Sequence, residues 1–142
     1  MHRDLLLLLL ALFALPALAA PPALADTPAA TWPAKTFYRH VVVDGHRTFY
    51  REAGDPARPT LLLLHGFPHT RAIWREMTPV LVGAGLQVVA PDLRGLGDSG
   101  QTGAGYDAAS LASDLVGVLD ALGLPGAHVV GFDLGAAPAF AM

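Results

Sequence analysis

Three short apolar runs, TLLLLH (60–65), LQVVA (86–90) and AHVVGF (127–132), carry no polar alternation. A strand that faces water on one side alternates, so these runs read as strands covered on both faces. Such strands belong to a parallel sheet, and parallel neighbours need crossovers long enough to hold a helix. The intervening sequence supplies them. Thr70 is placed to cap a helix whose shared face is Ile73, Met77, Val80 and Leu81, with Trp74 and Met77 expected in the core and Pro79 kinking or dividing it. Asp107 is placed to cap a second helix over 108–122. Its stripe is Leu111, Leu115, Val118, Leu119 and Leu122, and Gly123 with Pro125 ends it. LGAAPAFAM (134–142) begins a third. Upstream, TFYRHVVV (36–43) and HRTFYREA (46–53) alternate around Asp44-Gly45, a strong two-residue hairpin signal. The expected fold class is therefore α/β: an antiparallel hairpin, then parallel strands with right-handed crossovers.

The first 25 residues are read as a signal peptide. One Arg precedes an apolar run from Leu5 to Leu15, which is shorter than the ~20 residues a membrane span needs. Ala23-Leu24-Ala25 fits the small-x-small pattern before a cut at Asp26, and a cut after Ala19 also fits. Asp4 offsets Arg3, so an uncleaved anchor is the alternative. Residues 26–35 form a Pro/Ala linker and 36–142 the domain. Export to the periplasm or medium is expected, with no membrane attachment after cleavage. The chain has no cysteine, which excludes disulfides, thiol catalysis and thiolate metal sites. A formal charge of −3 without a basic cluster argues against a nucleic-acid partner.

Residues 131–135 read Gly-Phe-Asp-Leu-Gly at the junction of the last strand and last helix. Glycines two before and two after let strand and helix pass closely. The turn exposes the middle side chain and aims the following N–H groups at whatever it attacks. The alternative is that Asp133 only caps a helix. His65-Gly66-Phe67-Pro68 follows the first buried strand at the same edge of the sheet, where open α/β folds place their sites. Gly66 permits a tight path. Pro68 fixes a bend, and the Phe67 N–H is left to point elsewhere. The N–H groups of Phe67 and Leu134 can then converge on one oxyanion.

With HGFP, VVAPDLRGLGDS, GYD and HVVGFDLGA in this order, residues 36–142 resemble the epoxide-hydrolase branch of the α/β-hydrolase superfamily. The resemblance implies the N-terminal part of that fold, with helices on both faces, ending after the nucleophile turn. It implies Asp133 as nucleophile, Phe67 and Leu134 as oxyanion-hole N–H donors, and His65, Gly66, Pro68, Gly131 and Gly135 as structural support. No cofactor or metal is implied, and the partner is a small epoxide or other apolar electrophile. The chemistry suits a carboxylate. With a reference pKa of about 3.9 it is ionised at neutral pH without a base. It displaces at a saturated carbon, and water activated by a His then hydrolyses the ester. Haloalkane dehalogenases place Trp after the nucleophile and usually Asn after His-Gly, and haloacetate dehalogenases typically place Arg after the nucleophile. Leu134 and Phe67 offer no such side-chain donors. Epoxide hydrolases have HG-x-P and often Trp after the Asp, and Leu134 departs from that as well, but less damagingly, because only its backbone N–H is needed. Epoxide hydrolase is preferred, and a dehalogenase using the same Asp is the alternative.

Other patterns point elsewhere only weakly. Gly95 to Gly100 match G-x-G-x-x-G but open no helix, and Asp98 would repel a pyrophosphate. Asp92 and Arg94 are expected to fix this loop, and Ser99 lacks the turn a nucleophile needs. His65 and His69 are four apart on a loop without further ligands, so zinc is not expected, and His65 is expected to tie the oxyanion loop together. The resemblance also implies a base His, its acid partner and a cap with a Tyr pair. None of the six His stands at the place of that base. The 142-residue chain is therefore expected to be a fragment: unstable alone, and inactive or limited to alkylation of Asp133. A non-catalytic remnant or interaction domain is the alternative from another class.

Overall fold

A computed structural model describes residues 35–142, and the expected signal peptide and nearly all of the linker lie outside them. The order is β1 (Thr36–Val43), β2 (His46–Ala53), β3 (Thr60–Leu64), a 3-10 turn (Arg71–Trp74), α1 (Met77–Gly83), β4 (Gln87–Pro91), α2 (Ala108–Ala121), β5 (His128–Gly131), a 3-10 turn (Asp133–Gly135) and α3 (Ala136–Ala141). The five strands form one sheet in the order β1-β2-β4-β3-β5. β1, β2 and β4 are antiparallel neighbours, while β3 runs parallel to both β4 and β5. The mixed α/β sheet expected from the sequence is present.

The hairpin closes at Val43 opposite His46, with Asp44 and Gly45 both at positive φ (48° and 79°). This is the backbone pair that a tight two-residue turn requires. β3 and β4 are almost wholly buried, as their unbroken apolar runs demand. On one face Leu62, Leu64 and Val89 pack with Leu115 and Leu119 of α2 and with Ala139 of α3. On the other, Leu63, Val88 and Ala90 pack with Trp74, Ile73, Leu81 and Val82. Asp107 caps α2 through its carboxylate, which accepts from the Ser110 N–H at 3.0 Å. Gly123 follows at φ 67°, and the helix ends where expected.

Two expectations fail. β5, read as a strand covered on both faces, is covered only in part: His128 and Val130 are exposed, because β5 lies at the edge of the described sheet with β3 as its single neighbour. The helix drawn from Thr70 through Pro79 is two pieces, and the division falls at Arg75–Glu76 rather than at Pro79. Thr70 caps only the 3-10 turn, accepting from the Ala72 N–H at 3.3 Å. Pro79 sits in the first turn of α1, where an absent N–H costs no intrahelical bond. The offset rotates α1, so Met77 and Val80 face solvent while Thr78 and Pro79 are buried. Trp74 keeps its core position.

Candidate active site

The parallel strands end together, and three loops leave that edge: His65–Thr70 after β3, Asp92–Gly105 after β4, and Phe132–Leu134 after β5. Asp133 stands in the last with φ 53°, a left-handed conformation that a non-glycine residue seldom adopts. Its side chain is exposed, and its Oδ1 accepts from the Phe67 N–H at 3.1 Å. Residues 66 positions apart are thus joined by one charge-assisted hydrogen bond.

The surrounding backbone is packed too tightly for side chains. A Cβ on Gly131 would lie 2.5 Å from the Gly135 carbonyl oxygen and 2.7 Å from Ala136 Cα. One on Gly135 would lie 2.5 Å from the His65 oxygen, and one on Gly66 would overlap the Asp133 carboxylate. Strand, turn and helix therefore fold back on each other around Asp133. The Phe67–Pro68 peptide is cis, and the His69 N–H donates to the Gly66 carbonyl at 2.9 Å, closing the loop. Leu134 is exposed and lies in the first turn after Asp133, where helix geometry leaves N–H groups without intrahelical acceptors.

His65 is fully buried and holds two of these loops together. The Leu93 N–H donates to its Nε2 at 3.0 Å, so Nδ1 carries the proton and donates to the Gly66 carbonyl at 2.9 Å. Asp92 Oδ1 lies 3.7 Å from Nε2, but an Nε2 that accepts a hydrogen bond is uncharged, so this contact is no ion pair. Burial pushes the imidazole below its usual range, and the Gly66 hydrogen bond and Asp92 oppose that only in part.

The glycine-rich loop has its own order. Buried Asp92 accepts from the Arg71 N–H at 2.7 Å, the Asp98 N–H at 2.9 Å and the Arg71 guanidinium. A Cβ on Gly97 would overlap that carboxylate, so this glycine serves the loop's own packing. Ser99 donates to the Asp92 carbonyl at 2.7 Å and accepts from the Phe49 N–H at 2.9 Å, which commits its hydroxyl. Arg94 reaches further than expected and pairs with Asp114 of α2 at 2.6 and 2.8 Å. The double role of Arg71, on Asp92 and on Asp98 at 2.7 Å, has no counterpart in the sequence reading. Nothing local in sequence marks a partner 21 or 27 residues away.

Comparison with known proteins places this geometry in context. A family model described as alpha/beta hydrolase fold matches residues 59–142. Epoxide hydrolase A of Mycobacterium tuberculosis is 45% identical over 100 residues, which are 69% of this chain and 31% of that protein. The crystal structure of epoxide hydrolase A from Mycobacterium thermoresistibile superposes with a TM-score of 0.71 at 40% identity, covering 75% of this chain and 34% of that one. A haloalkane dehalogenase loop variant from Bradyrhizobium elkanii gives 0.68 at 38% identity, covering 75% and 35%. The chain thus spans about a third of the length of the relatives it matches.

Proposed function

The chain belongs to the alpha/beta hydrolase fold family, and on that premise we propose that residues 36–142 carry the nucleophile and oxyanion half of an epoxide hydrolase, with Asp133 as nucleophile. The observation that carries this reading is the exposed Asp133 carboxylate, at φ 53° and bonded to the Phe67 N–H. That hydrogen bond divides the labour between its two oxygens. Oδ1 is engaged, which leaves Oδ2 to attack. A bond forms from Oδ2 to an epoxide carbon, the ring C–O bond breaks, and the ring oxygen leaves as an alkoxide that takes up a proton. The product is an ester whose carbonyl oxygen is Oδ1.

In the second step water attacks the ester carbonyl carbon. Negative charge then develops on Oδ1, the atom the Phe67 N–H already faces, with the Leu134 N–H as the second donor of the proposal. Collapse of that intermediate expels the diol and restores the carboxylate with one oxygen from water. The water needs a general base. His65 is not that base, because both its ring nitrogens are engaged in buried hydrogen bonds.

The leaving group follows from the side chains beside Asp133. Phe67, Phe132 and Leu134 are exposed there and hold no N–H or O–H in their side chains, so a departing halide gains no hydrogen bond from them. An epoxide and a chloride on the same aryl-alkyl skeleton separate the two chemistries. Consumption of the epoxide, as enzyme ester or diol, without chloride release is expected. Chloride release without epoxide consumption would overturn the reading in favour of a dehalogenase.

A further inference from the structure

We propose that a cleft beside the first 3-10 turn is a binding site for a small oxyanion, anchored by Arg51. The cleft has a volume of about 490 Å³ and is lined by Tyr38, Arg51, Thr70, Arg71, Arg75 and Asp98. None of these residues takes part in the chemistry assigned to Asp133.

The charges in the cleft do not balance locally. Arg71 is neutralised by Asp92 and Asp98, and Arg75 by Glu76 at 2.9 Å on the surface. Arg51 is only 7% exposed, and among the described residues no carboxylate pairs with it. Its guanidinium lies 6.0 Å from the Tyr38 ring centre, and that of Arg71 lies 5.7 Å from the same ring. Two cations thus lie near one aromatic ring, Arg71 also at 4.4 Å from the Phe49 ring centre, and burying a cation without a counter-charge is costly. The Nε–H groups of both Arg51 and Arg71 are buried and have no acceptor among the described residues.

An oxyanion supplies the missing counter-charge. The buried Nε–H groups are closed to it, and carboxylate or phosphate oxygens accept instead from the terminal Nη–H groups that Arg51 presents to the cleft. Arg75 and the Thr70 hydroxyl line the same cleft and supply further donors. Asp98 opposes a bound anion, and its ion pair with Arg71 at 2.7 Å limits that opposition. The open shape and one-molecule size suit a small anion and not a polymer.

Titration of the whole chain with inorganic phosphate at constant ionic strength, followed by calorimetry and thermal melting, tests the site. One saturable equivalent and a raised melting temperature are expected. Arg51→Met should weaken binding about tenfold or more, as loss of charge-assisted hydrogen bonds implies. Arg75→Gln, at an exposed position, should weaken it severalfold and leave labelling of Asp133 unchanged. Acetate in a parallel titration distinguishes a carboxylate from a phosphate ligand, and either one supports the site. Two results overturn it: neither anion binds better than chloride, or Arg51→Met binds as the wild type does. Should Arg51→Met not fold, unchanged binding by Arg75→Gln overturns it instead.

Discussion

Asp133 holds a left-handed backbone because its neighbours leave no other path, and that strain is a feature of functional turns. The restraint comes from Gly131 and Gly135, whose missing side chains let backbone atoms approach to about van der Waals contact. Gly131→Ala and Gly135→Ala should each destabilise the fold by roughly 1–3 kcal/mol, the usual range for overpacking. Shifts in the urea midpoint at unchanged slope would measure this. Unaltered midpoints would mean that the turn has slack. The glycine spacing made this turn legible in the sequence, since no bland helix cap needs glycines on both sides. The hydrogen bond from Phe67 to Asp133 was legible only as a direction, because its length depends on how β3 and β5 are staggered. Arg51 was not legible at all. In an alternating strand such as HRTFYREA, charged residues stand on both faces, and only the packing shows which arginine is buried.

Loops rather than helices are tied together by the buried polar residues. His65 is neutral in the folded state and its protonation would take the acceptor away from the Leu93 N–H. The imidazole's folded pKa lies below its unfolded value of about 6.5, so the unfolded chain binds the extra proton first. Stability is therefore complete above about pH 6.5 and falls as the pH drops below it, by at most ~1.4 kcal/mol per pH unit for this one group. Unfolding curves between about pH 5 and 8 should show this, and His65→Gln should flatten that part of the profile. At the start of α2, Asp107→Ala should speed amide exchange at Ser110, whose N–H it caps at 3.0 Å, while Asp107→Asn should not. The elements with one clear period, α2 and the buried strands, were readable from sequence to within a residue. The Thr70–Gly83 segment was not. A shared apolar face suggests one continuous helix, but the step at Arg75–Glu76 lets Trp74 reach the core and turns Met77 away.

As a whole the described chain has one well-covered side and one open one. β5 is an edge strand with a single neighbour, and Val130, Phe132, Leu134 and Phe140 are exposed around it, Phe140 to 96%. Apolar surface of this kind at a strand edge favours association. The 142-residue chain should therefore self-associate with rising concentration in light scattering, and Phe140→Ser should reduce this without loss of fold. Scattering independent of concentration would show that the surface is benign. The central claim is that one carboxylate carries the covalent step. Mass spectrometry of the chain after exposure to styrene oxide, in water enriched in the heavy oxygen isotope, tests it most directly. Expected is either one epoxide equivalent esterified at Asp133 or, after hydrolysis, one heavy oxygen in its carboxylate, and neither in Asp133→Asn. An unmodified Asp133, or the same label in Asp133→Asn, would contradict it.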